Sequence, residues 1–175
     1  MPPLYVNVEG WSMSEVEILV AEIQKNLEVA DRLRNFIDAT ELHELVMLGK
    51  TPATALMMAS MVENYYTCLE TMFLRISQSF ENHLDEKRWH QTLLDRMTLQ
   101  VPTIRERVLS DESRRDLGEL LKFRHFKRYY FEFEYDWDRI DFLLKKLKSV
   151  HPHVKEDVGH FIEFLQAAGG NTPKN

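Results

Sequence analysis

Cysteine is nearly absent: Cys68 is the one thiol in 175 residues. A single thiol makes no internal disulfide and cannot build a metal site alone. Its neighbours Tyr65, Tyr66 and Leu69 favour a buried, inert thiol over a reactive one. Long apolar runs are also missing. The longest, Ala55-Leu56-Met57-Met58-Ala59, is far too short to span a bilayer. Met1 to Gly10 has no basic region followed by an apolar stretch, so it does not read as a signal peptide. These features together point to a cytoplasmic chain. Enzyme signatures are absent as well: no Gly-rich phosphate loop, no HExxH, no CxxC and no GxSxG. Excess positive charge is lacking too, since the net charge is -6. Non-specific coating by nucleic acid normally needs a basic protein, so any nucleic-acid contact must be local.

What is present is ordinary globular chemistry, 44% hydrophobic and 29% charged. The length fits one domain, which can bury about two-thirds of its unfolded surface. Residues 1–12 read as an extended N-terminal arm, 13–168 as a helical bundle domain and 169–175 as a flexible tail. Ser14 with Glu17 matches a capping box. Val16, Leu19, Val20, Ile23, Leu27, Ala30, Leu33, Phe36 and Ile37 then recur at helical spacing, which predicts a first helix reaching about Leu48 and ended by Gly49. Thr51-Pro52 opens a second helix through Leu56, Ala59, Val62, Tyr66, Leu69, Phe73, Ile76 and Phe80. Two helices of about 45 Å with a short link imply an antiparallel pair. Asp85 begins a short third helix. Ser110-Asp111-Glu112 caps a fourth over 111–131. A fifth starts at Asp136 or Asp138 and breaks at His151-Pro152, and a sixth covers 154–167. Strand-like alternation is confined to Phe131–Tyr135. The fold class is therefore all-α, an up-down bundle of five to six helices.

The fourth helix carries the most information. On a helical wheel Leu117, Leu120, Leu121, Arg124, Arg128 and Phe131 share one stripe. Phe123, Phe126 and Tyr130 lie roughly opposite, with His125 and Tyr129 between. A helix apolar on two sides must be covered on two sides, by its own bundle and by a further helix or a second copy. Lys122, Arg124, Lys127 and Arg128 put four cations in seven residues with no acid among them. Arginine suits bidentate phosphate binding, and interleaved aromatics such as Tyr130 can stack on bases. The opposing structural reading has Arg124 and Arg128 pairing with acids such as Glu63 or Glu70, or extending along apolar neighbours. Trp89-His90 reads as a packed pair. His151, His153 and Glu156 are a weak metal set, and no cofactor or metal is expected. Methionines such as Met57, Met58 and Met61 read as core filler.

The segments ENYYTCLETMFLRI (63–76), RWHQTLLDRM (88–97), VLSDESRRDLGELLKFRHFKRYY (108–130) and FEYDWDRI (133–140) resemble the HepT-like group of the HEPN superfamily. The resemblance implies an all-α bundle, a symmetric homodimer with a cleft between subunits, and metal-independent endoribonuclease activity of the toxin-antitoxin type. It also implies a minimal nucleotidyltransferase antitoxin as partner and RNA as substrate. The family motif is an arginine, a polar residue, three further residues and a histidine, often with a tyrosine two positions on. Arg124 falls on the motif arginine and His125 on the polar position. Arg128 matches an extra arginine found in this group. Tyr129 stands where the catalytic histidine is expected, and Phe131 where the tyrosine that accepts a nucleotide often sits. The resemblance thus nominates Arg124, His125, Arg128 and Tyr129 as catalytic. It sets them beside Lys122, Arg124, Lys127, Arg128 and Tyr130 as phosphate or RNA contacts. Cleavage of this kind needs a base for the ribose 2′-OH and positive charge for the transition state. Imidazole, titrating near neutrality, suits the base better than a phenol. The alternative implied by the departures is a catalytically lapsed member that binds RNA, a nucleotide or the nucleotidyltransferase.

Overall fold

A computed structural model describes residues 11–80, 89–102, 104–129 and 135–170, without the side chains of 89–92, Tyr129 and Gly170. Six helices follow in order: α1 Met13–Leu42, α2 Glu44–Leu48, α3 Pro52–Phe80, α4 Trp89–Met97, α5 Asp111–Tyr129 and α6 Trp137–Gly170. Among the described residues no strand forms, and the one β-type contact is an isolated bridge between Val101 and Arg105. The all-helical expectation is met. Among the described residues no helix is long and apolar enough to cross a membrane.

Helix α1 is capped by Ser12, two residues before the predicted cap Ser14. Ser12 accepts from the Glu15 backbone N–H, while the Glu15 carboxylate accepts from the Ser12 N–H at 2.8 Å. The sequence Ser12-Met-Ser14-Glu15-Val-Glu17 holds two overlapping capping boxes. The earlier one is used, and it draws Trp11 against Phe80 with ring centroids 4.9 Å apart. The helical run does reach Leu48, but it breaks at His43, where φ and ψ fall to -110° and -65°. Phe36, expected inside, is exposed. Gly49 then adopts φ +73°, a conformation that side-chain-bearing residues avoid, and lets the chain reverse into α3.

Helix α3 lies at the centre and meets α1, α4, α5 and α6. Its consecutive tyrosines, Tyr65 and Tyr66, are both buried, as are Val62, Leu69, Met72, Phe73, Ile76 and Phe80. A helix apolar around most of its circumference must be enclosed. Tyr65 faces α1 and α6, where its hydroxyl donates to Nδ1 of His151 at 3.0 Å. The opposite Nε2 of His151 donates to Asp31 at 2.8 Å, and Lys155 holds the second Asp31 oxygen.

Helix α6 does not break at His151-Pro152. It runs unbroken from Trp137 to Gly170 with Pro152 inside. An internal proline costs a helix about 3 kcal/mol. Leu147, Val150, Val154 and Val158, all buried on either side of it, outweigh that cost, and Pro152 itself is exposed. His151 points inward to Tyr65 and Asp31. Among the described residues no group of three His, Cys, Asp or Glu side chains is arranged to hold a metal. The helix also continues through Gly169 and Gly170, placed in the tail by sequence. A Cβ on Gly169 would come within 3.2 Å of the Val16 side chain, so glycine here lets α6 close against α1. Residues 1–10, 171–175 and Asp85 lie outside the described residues, as does all of the Phe131–Tyr135 segment except Tyr135.

Burial pushes the His151 pKa below its ordinary value, against the opposing pull of Asp31. The folded state therefore holds it neutral, whereas the unfolded chain protonates it near pH 6.5. The unfolded state then binds more protons on acidification, so stability is full above about pH 6.5 and falls as pH drops below it. Thermal melts should show a declining Tm from pH 7 to pH 5, and His151→Gln should flatten that decline. A melt curve unchanged by the substitution would contradict the assignment.

Candidate functional site

Helix α5 is seated by polar contacts at its start and by apolar ones along its length. The Asp157 carboxylate on α6 accepts from the Ser110 N–H at 2.9 Å, the Ser110 hydroxyl at 2.8 Å and the Ser113 hydroxyl at 2.6 Å. One turn on, Lys146 pairs with Asp116 at 2.7 Å. Leu117, Leu120, Leu121 and Phe123 are buried. The second apolar face, which was expected to need another helix or another copy, is met at least in part within the chain. Tyr135 packs edge-on against Phe123, and the Arg139 guanidinium lies 4.7 Å from the Phe126 ring centre.

The cation cluster separates into inward and outward members. Arg124 is 5% exposed and forms a two-pronged ion pair with Glu70 on α3, at 2.7 and 3.2 Å, while its Nε donates to Thr67 at 3.2 Å. Lys127 donates to Glu63 at 2.6 Å and to Ser60 at 2.9 Å. These contacts pair α5 with α3 in antiparallel register. They also match the structural alternative, in which Glu63 and Glu70 neutralise the cluster, except that Glu63 takes Lys127. Lys122 and Arg128 are exposed. Lys122 meets Glu119 one turn back at 2.7 Å, and Arg128 carries no ion pair among the described residues. His125 is half-buried and lines a furrow of about 560 Å³ between α4 and α5. Tyr129 is the last residue of α5, four residues after His125, so its helical position follows that of His125. Tyr130 and Phe131 lie outside the described residues.

Two residues escaped the sequence reading. Arg115 and Gly118 line the same furrow as Lys122 and His125. Positions 115, 118, 122 and 125 repeat at three and four, so helical spacing alone could have grouped them. Cys68 is partly buried, burial raises its pKa, and its thiol donates to the Asn26 carbonyl at 3.4 Å. It takes no part in the α5 cluster.

A guanidinium keeps its charge, so removing either partner of the buried pair strands the other. Arg124→Met and Glu70→Leu should each lower unfolding free energy by about 3 kcal/mol, while the double substitution recovers most of the loss. Urea melts of the four proteins check this. Additive losses would show that the pair is not coupled.

A scan of family models matches residues 57–165 to the model described as HepT-like protein. No curated protein and no solved structure matches the chain. The matched span takes in nearly all of α3, the whole of α4 and α5, and most of α6, and so includes every residue of the α5 cluster described above. With more than half of its length matched and an all-helical bundle as its fold, this chain belongs to the HepT-like family of the HEPN superfamily.

Proposed function

We propose that this HepT-like protein is a metal-independent endoribonuclease that acts on cytoplasmic RNA through the C-terminal half of α5. The observation that supports this best is the sorting of the cluster. Arg124 and Lys127 turn inward to carboxylates, while Arg128 is exposed and His125, three residues before it and so its neighbour on the helix surface, is half-buried at the edge of the furrow. In this reading His125 takes the proton of the ribose 2′-OH. The freed oxygen attacks the adjacent phosphorus, and the bond to the 5′-oxygen breaks. Tyr129, a poor base but a workable acid, gives the leaving oxygen its proton. Arg128 holds the phosphate as negative charge builds on it. The products are a 2′,3′-cyclic phosphate and a 5′-hydroxyl, and solvent exchange resets His125 and Tyr129. Arg124 acts as a positioning residue, fixing the height and rotation of α5 on α3.

The second reading is a lapsed enzyme that binds RNA, a nucleotide or a nucleotidyltransferase. It is favoured by the neutralisation of Arg124 by Glu70 and by Tyr129 at the histidine position. Both readings include the family partners: a second copy across the α5 cleft and a minimal nucleotidyltransferase antitoxin. Phe131 has no hydroxyl to accept a nucleotide, which leaves Tyr129 or Tyr130 as the acceptor.

RNA incubated with the protein and EDTA separates the two readings. The ribonuclease reading expects cleavage by the wild type, slowed about 100-fold or more in His125→Ala and in Arg128→Ala. RNA cut only by Tyr129→His would establish the lapsed reading. RNA neither bound nor cut by any variant would reject both RNA readings and leave the partner-binding one. Arg124→Ala is a poor probe, because its loss of activity would be confounded with unfolding. For the partner copy, light scattering at micromolar protein should return twice the mass of the chain; a monomer mass would remove the dimer.

A further inference from the structure

We infer that the furrow between α4 and α5 is a track for single-stranded RNA, gripping the phosphates on one side of the proposed cleavage site. This rests on the ribonuclease reading for its substrate class and on different residues for its evidence. Leu94 and Asp95 of α4 form one wall, and Arg115, Gly118, Lys122 and His125 of α5 form the other. Because His125 lines it, the furrow opens directly onto the proposed base. Packed helix axes lie about 8–10 Å apart, so a furrow between two of them admits one strand.

Gly118 supplies the strongest argument. It sits inside a nineteen-residue helix, where glycine is less favourable than alanine. A Cβ added there would meet nothing within 4 Å. No packing demand among the described residues accounts for the glycine, whereas the close approach of a bound chain to the helix backbone does. The charges agree. The chain as a whole is acidic at -6, yet this furrow holds Arg114, Arg115 and Lys122 against Asp95 and Glu119. Arg114 pairs with Asp95 and Lys122 with Glu119, leaving Arg115 without an ion pair among the described residues. Both pairs are solvent-exposed, Lys122 by 73%. Exposed pairs of this kind are weak, so a phosphate can displace either carboxylate. Arg115 and Lys122 stand two turns apart, about 10 Å, and His125 extends the furrow to about 15 Å, room for two or three nucleotides.

The test measures binding of a fluorescent 2′-O-methyl RNA strand of about 12 nucleotides, which cannot be cleaved. Anisotropy is followed across a salt series for wild type, Arg115→Glu, Gly118→Leu and the remote control Lys145→Glu. The expected result is affinity lowered about tenfold in Arg115→Glu and in Gly118→Leu, with Lys145→Glu near wild type. In Arg115→Gln the slope of log affinity against log salt should flatten by about 0.7, the loss of one phosphate contact on a single strand. Gly118→Ala should raise the Tm, showing that the position tolerates a side chain in the fold. Furrow variants that bind as the wild type does would overturn the track while leaving any observed cleavage standing. Equal losses in Arg115→Glu and Lys145→Glu would overturn it as well, reducing the effect to net charge. Furrow-dependent binding without cleavage of unmodified RNA would keep the track and sink the ribonuclease. A strand that does not bind, or that an acidic peptide displaces at equal concentration, would overturn the track.

Discussion

A guanidinium cannot discard its charge, and α5 carries one into the interface it makes with α3. Arg124 sits there 5% exposed, beside Leu120, Leu121 and Phe123. The arrangement is tolerable because Glu70 meets it with both oxygens and Thr67 takes the third donor. Compared with an apolar pair of the same size, such a bridge adds little net stability. It is demanding in geometry instead, since sliding or rotating α5 by one residue would leave a carboxylate and a guanidinium buried apart. Lys127, one turn on, repeats the demand with Glu63 and Ser60. These two contacts fix which residues of α5 turn outward, and His125 and Arg128 follow from them.

The same logic explains what sequence reading reached. Helical periodicity at Val16, Leu19, Val20 and Ile23, and at Val62, Leu69, Phe73 and Ile76, reports burial directly, so the long helices and the bundle were legible. Cations in a helix carry no such label. Arg124 and Arg128 share a stripe on the wheel, yet one is buried and the other exposed, because partners on α3, dozens of residues away in sequence, decide between them. Gly118 was illegible for another reason. Its meaning lies in the space above it, which exists only once α4 is in place.

Helix α6 shows tertiary structure overruling a local signal. Pro152 reads as a stop, and an isolated helix would honour it. Here the turns around it carry Leu147, Val150, Val154 and Val158 into the core, and His151 reaches Tyr65 on α3 and Asp31 on α1. Neutral imidazole suits that position because one nitrogen accepts from the phenol while the other donates to the carboxylate. Three helices thus share one chain of hydrogen bonds across the face of α3 opposite Arg124. The central helix is held by a charged clasp on one side and a neutral relay on the other.

The closure of α6 on α1 at Gly169 and Val16 places both extremities of the described chain at one pole of the bundle. The stacking of Trp11 on Phe80, at the C-terminal end of α3, marks the same pole. The outward residues of late α5 lie beside the N-terminal half of α3, since Lys127 meets Ser60 and Glu63. Phe80 and Ser60 lie twenty residues apart in α3, about 30 Å at full rise. A fluorophore attached at either end of the described chain, near Met13 or Ala168, would therefore sit about 30 Å from the level of Arg128, and a cross-link between those two positions would bridge neighbours rather than cross the molecule.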